Sequence, residues 1–347
     1  QTENVCPDLL NPEMITDAIW TDFNNDSWID LIVVGEWMGI TFYKNENGKL
    51  RDITEIALEQ SSTGWWNCIT GNDIDDDGDT DYICGNLGLN TIFQGDETHP
   101  LLLFAKDFDN NGIIDPIVVK YAMDENYELQ PFPVSTRDGL YSQVAILKQR
   151  IETYRQFGRS TIYDLFTPEE LKGAFIREAA QMYSALLINN GNGNFELKPL
   201  PIEAQFAPVY GILTQDFNLD GTMDVLLVGN DYAIEYTSGR IDAFNGLLLL
   251  GKGTGDFKAT TPNESGFNVK GDAKGLASIF GPSGKQIILA TQNKDSLIAY
   301  SYQKNVSTEI LDPEDAQWAE LKLKNGKTRK HEFYTGSSFT SQSSRKL

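Results

Sequence analysis

DIDDDGDTD, residues 73–81, places six carboxylates in nine positions. Left alone in water such a run repels itself, so its fold depends on what supplies positive charge. Three further stretches share its form: DFNNDSWID at 22–30, DFDNNGIID at 107–115 and DFNLDGTMD at 216–224. Each has Asp first, Asp or Asn third and fifth, and Asp ninth. That spacing suits Ca²⁺, which takes roughly 6–8 hard oxygen ligands: side chains one, three and five, the carbonyl of residue seven and the ninth carboxylate. Gly78, Gly112 and Gly221 at position six permit a sharp turn, and Ser27 in that place makes the first loop the expected weakest site. An EF-hand is excluded, because its twelfth position needs a bidentate Glu and the four residues here are Val33, Cys84, Val118 and Leu227.

Short apolar runs rich in β-branched residues follow the loops (LIVVG, YICGN, PIVVK, VLLVGN), and MITDAIW, WWNCIT, LLLFAK and VYGILT precede them. The unit reads as strand, loop, strand. FYKNENGKL, LLINNGNGNF and LLLLGKGTGDF then read as outer hairpins turning on Gly and Asn. Inner plus outer hairpin makes a four-stranded blade, and blades repeated about an axis limit exposed edges. The expected fold class is all-β: a β-propeller with about five recognisable blades, part of a ring of six to eight. The fifth blade, within residues 275–302, turns on the acid-free GPSGK. Loop starts at 22, 73, 107 and 216 leave a final gap of 109 residues, too long for one blade. An α-helical insertion over 138–182 is expected to fill it, interrupting the third blade. GLYSQVAILKQRIETYRQFGRS has helical apolar spacing, and TPEELKGAFIREAAQMYSALL opens with Thr167 as N-cap, Pro168 in the first turn and Glu170 placed for a capping box.

These units resemble the FG-GAP/VCBS repeat family, whose repeats form the blades of calcium-binding propellers similar to the integrin α-subunit head. The resemblance covers most of residues 15–303 and defines an expected propeller region over 1–303. Residues 304–347 are expected to be a linker followed by AELKLKNGKTRKHEFYTGSSFTSQSSRKL, which resembles the start of an ASPIC/UnbV domain and suggests a β-hairpin of a next domain. The combination looks like secreted or surface proteins of Bacteroidetes-type bacteria. Residue by residue, the family pattern implies four Ca²⁺ sites. The first has Asp22, Asn24, Asp26 and Asp30 with the Trp28 carbonyl, and the second Asp73, Asp75, Asp77 and Asp81 with that of Asp79. The third has Asp107, Asp109, Asn111 and Asp115 with Ile113, and the fourth Asp216, Asn218, Asp220 and Asp224 with Thr222. Asp76 is left facing solvent. Four such ions would change the formal charge of −22 to −14.

The 347 residues, 40% of them apolar, can bury a large core. Fifty acidic against 28 basic side chains disfavour nucleic acid and anionic membrane surfaces. No run of about 18 apolar residues occurs, so no membrane span is expected. QTENVCPDLL lacks the features of a signal peptide: either one has been removed or the chain is a piece of a longer protein, which the abrupt end at SSFTSQSSRKL favours. Cys68 and Cys84 either bridge or, like Cys6, remain buried thiols. With only His99 and His331 present, and no GxSxG, Walker or dinucleotide motif in context, catalytic signals are scarce. The expected function is a non-enzymatic, secreted, periplasmic or outer-surface module that binds a glycan or an extracellular protein, with structural calcium. A calcium-dependent polysaccharide lyase or glycoside hydrolase, and a purely structural spacer, are the alternatives. Trp65 and Trp66 adjoin in a strand and point to opposite faces, so one serves packing while the other either packs or stacks on a sugar. Tyr121, Tyr210 and Tyr232 have the same two readings. Arg137, Gln143, Arg150, Arg155 and Arg159 give the insertion either an anionic-glycan seat or a solvated face of internal ion pairs.

Overall fold

A computed structural model describes residues 2–10, 13–234, 239–281, 285–301, 316–323, 326–336, 338 and 341–345. Strands β1 (Met14–Thr21), β2 (Asp30–Met38), β3 (Thr41–Glu46) and β4 (Lys49–Asp52) form the first antiparallel blade. β5 (Gly64–Asn72) and β6 (Asp81–Asn86) begin the second. β7 (Leu101–Lys106), β8 (Asp115–Met123), β9 (Leu129–Pro133) and β10 (Phe175–Ala179) make a separate sheet in the order β10-β7-β8-β9. β11 (Ala185–Asn189) and β12 (Phe195–Pro199) complete the second blade, because β11 pairs with β6. β13 (Val209–Gln215), β14 (Asp224–Gly229), β15 (Leu247–Gly251) and β16 (Phe257–Ala259) form the third. β17 (Ala273–Phe280), β18 (Gln286–Gln292) and β19 (Ile298–Ser301) supply the described strands of the fourth. A last hairpin joins β20 (Trp318–Lys322) to β21 (Thr328–Glu332).

The fold is all-β and propeller-like, with β1, β5, β13 and β17 as neighbouring inner strands. The apolar runs are continuous rather than alternating because both faces of a blade are covered. In β14, Val225 and Leu227 enter one core cluster with Ile83 and Ile212, while Leu226 and Val228 enter another with Leu276 and Ile288. Short pairing between β5 and β2 merges the first two blades into one curled eight-stranded sheet.

The third acidic loop belongs to no blade of this arc. Residues 87–184 leave between the second and third strands of blade two, and their sheet has its own core of Phe104, Phe108, Ile117, Val119, Leu140, Leu147, Ile162 and Phe166. This accounts for the short 34-residue spacing: the chain starts a new strand–loop–strand unit before blade two is finished. The expected insertion is only partly helical. A two-turn helix over Arg137–Gln143 and single turns over Tyr154–Phe157, Ile162–Leu165 and Pro168–Leu171 replace long helices, and the capping box of Thr167 and Glu170 is present. Lys172 leaves the last turn in an extended conformation, Gly173 follows at φ +79°, and the open edge of β7 takes up Phe175–Ala179 as a strand.

Cys6, Cys68 and Cys84 are free thiols. Cys84 is opposite Ile69 in the ladder, so it shares the face of Ile69, and Cys68 points to the other side of the sheet. Residues 282–284 of the GPSGK turn, residues 302–303 at the end of the expected propeller region and residues 304–315 of the expected linker lie outside the described residues.

Candidate metal centres

The loop in each of the four strand–loop–strand units has one conformation. Its fourth residue (Asn25, Asp76, Asn110, Leu219) and its sixth (Ser27, Gly78, Gly112, Gly221) all have positive φ. Ser27 at φ +70° bears a strain that the three glycines avoid. The first aspartate accepts the amides of residues five and six in every case: Asp22 from Asp26 and Ser27, Asp73 from Asp77 and Gly78, Asp107 from Asn111 and Gly112, and Asp216 from Asp220 and Gly221. The fifth side chain accepts the amide of residue seven throughout. The ninth aspartate reaches outward to the blade. Asp30, Asp81 and Asp224 accept the amides of Asn45, Asn189 and Gly251, each on the third strand, at 2.7–2.9 Å.

Oxygens of Asp73, Asp75 and Asp81 lie within 4.8 Å of one another, as do those of Asp107, Asp109 and Asp115. Asp75 Oδ1, Asp109 Oδ1 and Asp30 Oδ2 are buried without a hydrogen-bond donor. Buried acceptors are normally satisfied, so these orphaned oxygens fit loops built to hold a hard divalent cation such as Ca²⁺. Asn24 and Asn218 replace the third carboxylate in the first and fourth loops, and each accepts the amide two residues on.

Burial pushes the Asp73 carboxyl up to about 6, Asp30 to about 7 and Asp81 to about 8 when no cation is bound. Between the unfolded value near 4 and these values, the folded chain keeps protons that the unfolded chain has released. The stability this provides is full at low pH and lost as pH rises toward 8. In chelator, the urea midpoint is therefore expected to be higher at roughly pH 5.5 than at pH 8. If the ionised loops bind Ca²⁺, an excess of it should reverse that order.

The C-terminal hairpin, expected as the start of a separate domain, is seated on the loops. Arg329 donates to Asp76 Oδ1 from Nε at 2.6 Å and to the Gly221 carbonyl at 2.7 Å. The Lys330 amide donates to Asp73 Oδ2, and its Nζ to the Asp22 carbonyl and to Asn25 Oδ1. Lys327 Nζ reaches the Asp75 carbonyl at 3.0 Å, and Glu332 accepts from Thr21 and Thr80. Three blades are thereby tied together through their loops. Asp76, expected to face solvent, is buried against Arg329 because its left-handed backbone turns the carboxylate away from the cage side and under the hairpin.

Other anticipated site residues separate into groups. Trp66 is fully buried and donates to the Ser62 carbonyl, which leaves it to packing. Trp65 is half-buried against Trp37 and Phe93. Tyr210 donates to Asp231, and Tyr232 donates to the Lys270 carbonyl under Arg240. Tyr121 packs edge-on against His99. Arg137 pairs with Asp138 and covers the Tyr154 ring, Arg150 forks onto Glu170, and Arg159 pairs with Glu125. These arginines are engaged with the insertion's own acids. Among the described residues, no helix is long and apolar enough to cross a membrane.

A family model described as FG-GAP-like repeat matches residues 22–84, from the first loop through the second and into β6. No curated protein matches the chain.

Proposed function

We propose that this chain is an extracellular, non-catalytic binding module of propeller type, stabilised by four Ca²⁺ ions and presenting a glycan- or protein-binding surface away from its calcium loops. The observation supporting it is the shared loop geometry: all four loops have positive φ at their fourth and sixth residues and the same bonds to their first and fifth side chains, and three contain orphaned carboxylate oxygens. The FG-GAP-like match over two of them is in keeping with an integrin-like propeller module. The ligands proposed are the four side chains and one carbonyl of each nonapeptide. Sites of the extracellular type, with dissociation constants of roughly 10⁻⁴–10⁻³ M, fill where free calcium is high, which favours a location outside the cytoplasm. A structural role for the ions is supported by the ninth aspartates, which join each blade loop to the third strand of its own blade.

The test is a binding survey of the calcium-loaded protein against a glycan array and a panel of extracellular proteins. Binding without chemical change in the ligand is the expected result. Release of unsaturated sugars or new reducing ends from acidic polysaccharides would make the protein a lyase or hydrolase instead. Silence on both surveys would reduce it to a spacer.

A further inference from the structure

The four inner strands share an irregularity that their sequences do not advertise. In β1, Ile15 pairs with Gly35 and Asp17 with Val34, which leaves Thr16 bulged out of the ladder. In β5 the bulged residue is Asn67, in β13 Tyr210 and in β17 Lys274. Thr16, Asn67 and Tyr210 each stand six residues before an acidic loop. β7, the equivalent strand of the inserted sheet, pairs with β8 in unbroken register. The bulge is therefore a property of the strands around the axis and not of the strand–loop–strand unit. Bulges re-aim side chains and gather near functional sites.

All four bulged residues line one cavity of about 510 Å³ at the end of the inner strands away from the loops. That volume is within the usual range of small-ligand sites, roughly 300–1,000 Å³. Glu36 and Asp231 line it as well. Tyr210 donates to Asp231 Oδ2 at 3.0 Å, so that carboxylate is held in place. Lys274 Nζ is engaged, 3.0 Å from Asp272, 2.9 Å from the Asn230 carbonyl and 3.8 Å from the Tyr210 ring centre. Asn67 is 2% exposed, and its Nδ2 is a buried donor with no partner.

We infer that this cavity is a seat for the hydroxyl groups of an uncharged sugar residue. The inference rests on the glycan-binding form of the proposed function and names its site. Glu36 and Asp231 line the cavity and the Lys274 ammonium is already paired with Asp272 behind it, so uronic and sulfated sugars are repelled. A bare cation suits the carboxylates but offers nothing to the Asn67 N–H. Neighbouring hydroxyls do both, donating to Glu36 and Asp231 while accepting from Asn67, and they convert a costly unpaired donor into a bonded one.

The probe is an array of neutral, uronic-acid and sulfated oligosaccharides, followed by calorimetric titration of the best neutral one into the calcium-loaded protein. Neutral binding is expected, weakened about 10-fold or more in Asn67→Ala. The thermal midpoint of that variant should hold or rise, since the amide has no partner to lose; a purely structural asparagine would lower it. Ala233→Trp, at the exposed rim, should abolish binding by filling the mouth, and it carries the test if Asn67→Ala does not fold. Neutral-glycan binding unchanged in both variants would overturn this seat while leaving the binding-module reading intact. Binding confined to acidic glycans, or to an extracellular protein alone, would do the same. Silence toward every probe would remove both.

Discussion

In excess EGTA the thermal midpoint of this protein is expected to fall by about 10 °C or more from its value in saturating Ca²⁺. A cation held at about 100 times its dissociation constant stabilises the folded state by roughly 2.7 kcal/mol per site. Four such loops then contribute on the order of 10 kcal/mol, as much as the whole net stability of many domains, less whatever coupling the Asn25–Asp79 bond and the shared Lys330 impose on the first two. One kcal/mol moves the midpoint by roughly 2–4 °C in domains of 150–250 residues and by less in a longer chain, which sets the lower end of the estimate. The loss is amplified in the second loop, where Asp73, Asp75, Asp77 and Asp81 would face one another without an ion and Asp73 and Asp81 are buried. Mg²⁺ should restore little, since it demands near-ideal octahedral geometry and is reluctant to shed water. Scanning calorimetry in EGTA, Ca²⁺ and Mg²⁺ checks this, and an unchanged midpoint in EGTA would take calcium out of the fold.

The loops are legible in the sequence because their geometry is set within nine residues: the aspartate-to-amide bonds, the spacing and the left-handed sixth position are all local. The inner hairpins are legible for the same reason, since each closes on its own loop. What escapes is decided by distant pairing. Nothing local says that β6 waits until Ala185 for its next partner, so residues 87–184 read as a blade in sequence although they interrupt one. FIREA at 175–179 follows a well-capped turn and reads as its continuation, yet the free edge of β7 outweighs that propensity. The C-terminal KTRKHE pattern does announce a strand, but its seat on acids some 250 residues earlier has no signal beyond opposite charge. The bulges are individually silent. Only with the ladders known does the six-residue offset from the loops group Thr16, Asn67 and Tyr210.

Arg329→Ala is expected to cost about 3–5 kcal/mol in urea unfolding with Ca²⁺ present. The Arg329 and Asp76 side chains are 8% and 3% exposed, so truncating the arginine leaves a carboxylate buried among five others in residues 73–81. Lys327→Ala is the contrast: its ammonium is 3.9 Å from Asp76 Oδ2 and the side chain is 47% exposed, where a charge pair contributes about 0–1 kcal/mol. Asp76→Asn in the Arg329→Ala background should recover much of the loss, because it removes the stranded charge and asparagine tolerates the +59° backbone at that position. A single Ca²⁺ would leave the six carboxylates of DIDDDGDTD with four uncompensated charges, and Lys327 and Arg329 are the cations that meet Asp76 from outside the cage, while Lys330 supplies its backbone amide to Asp73. If Arg329→Ala proves as mild as Lys327→Ala, the hairpin is not that counter-charge, and neutralisation of the loop falls to bound ions alone.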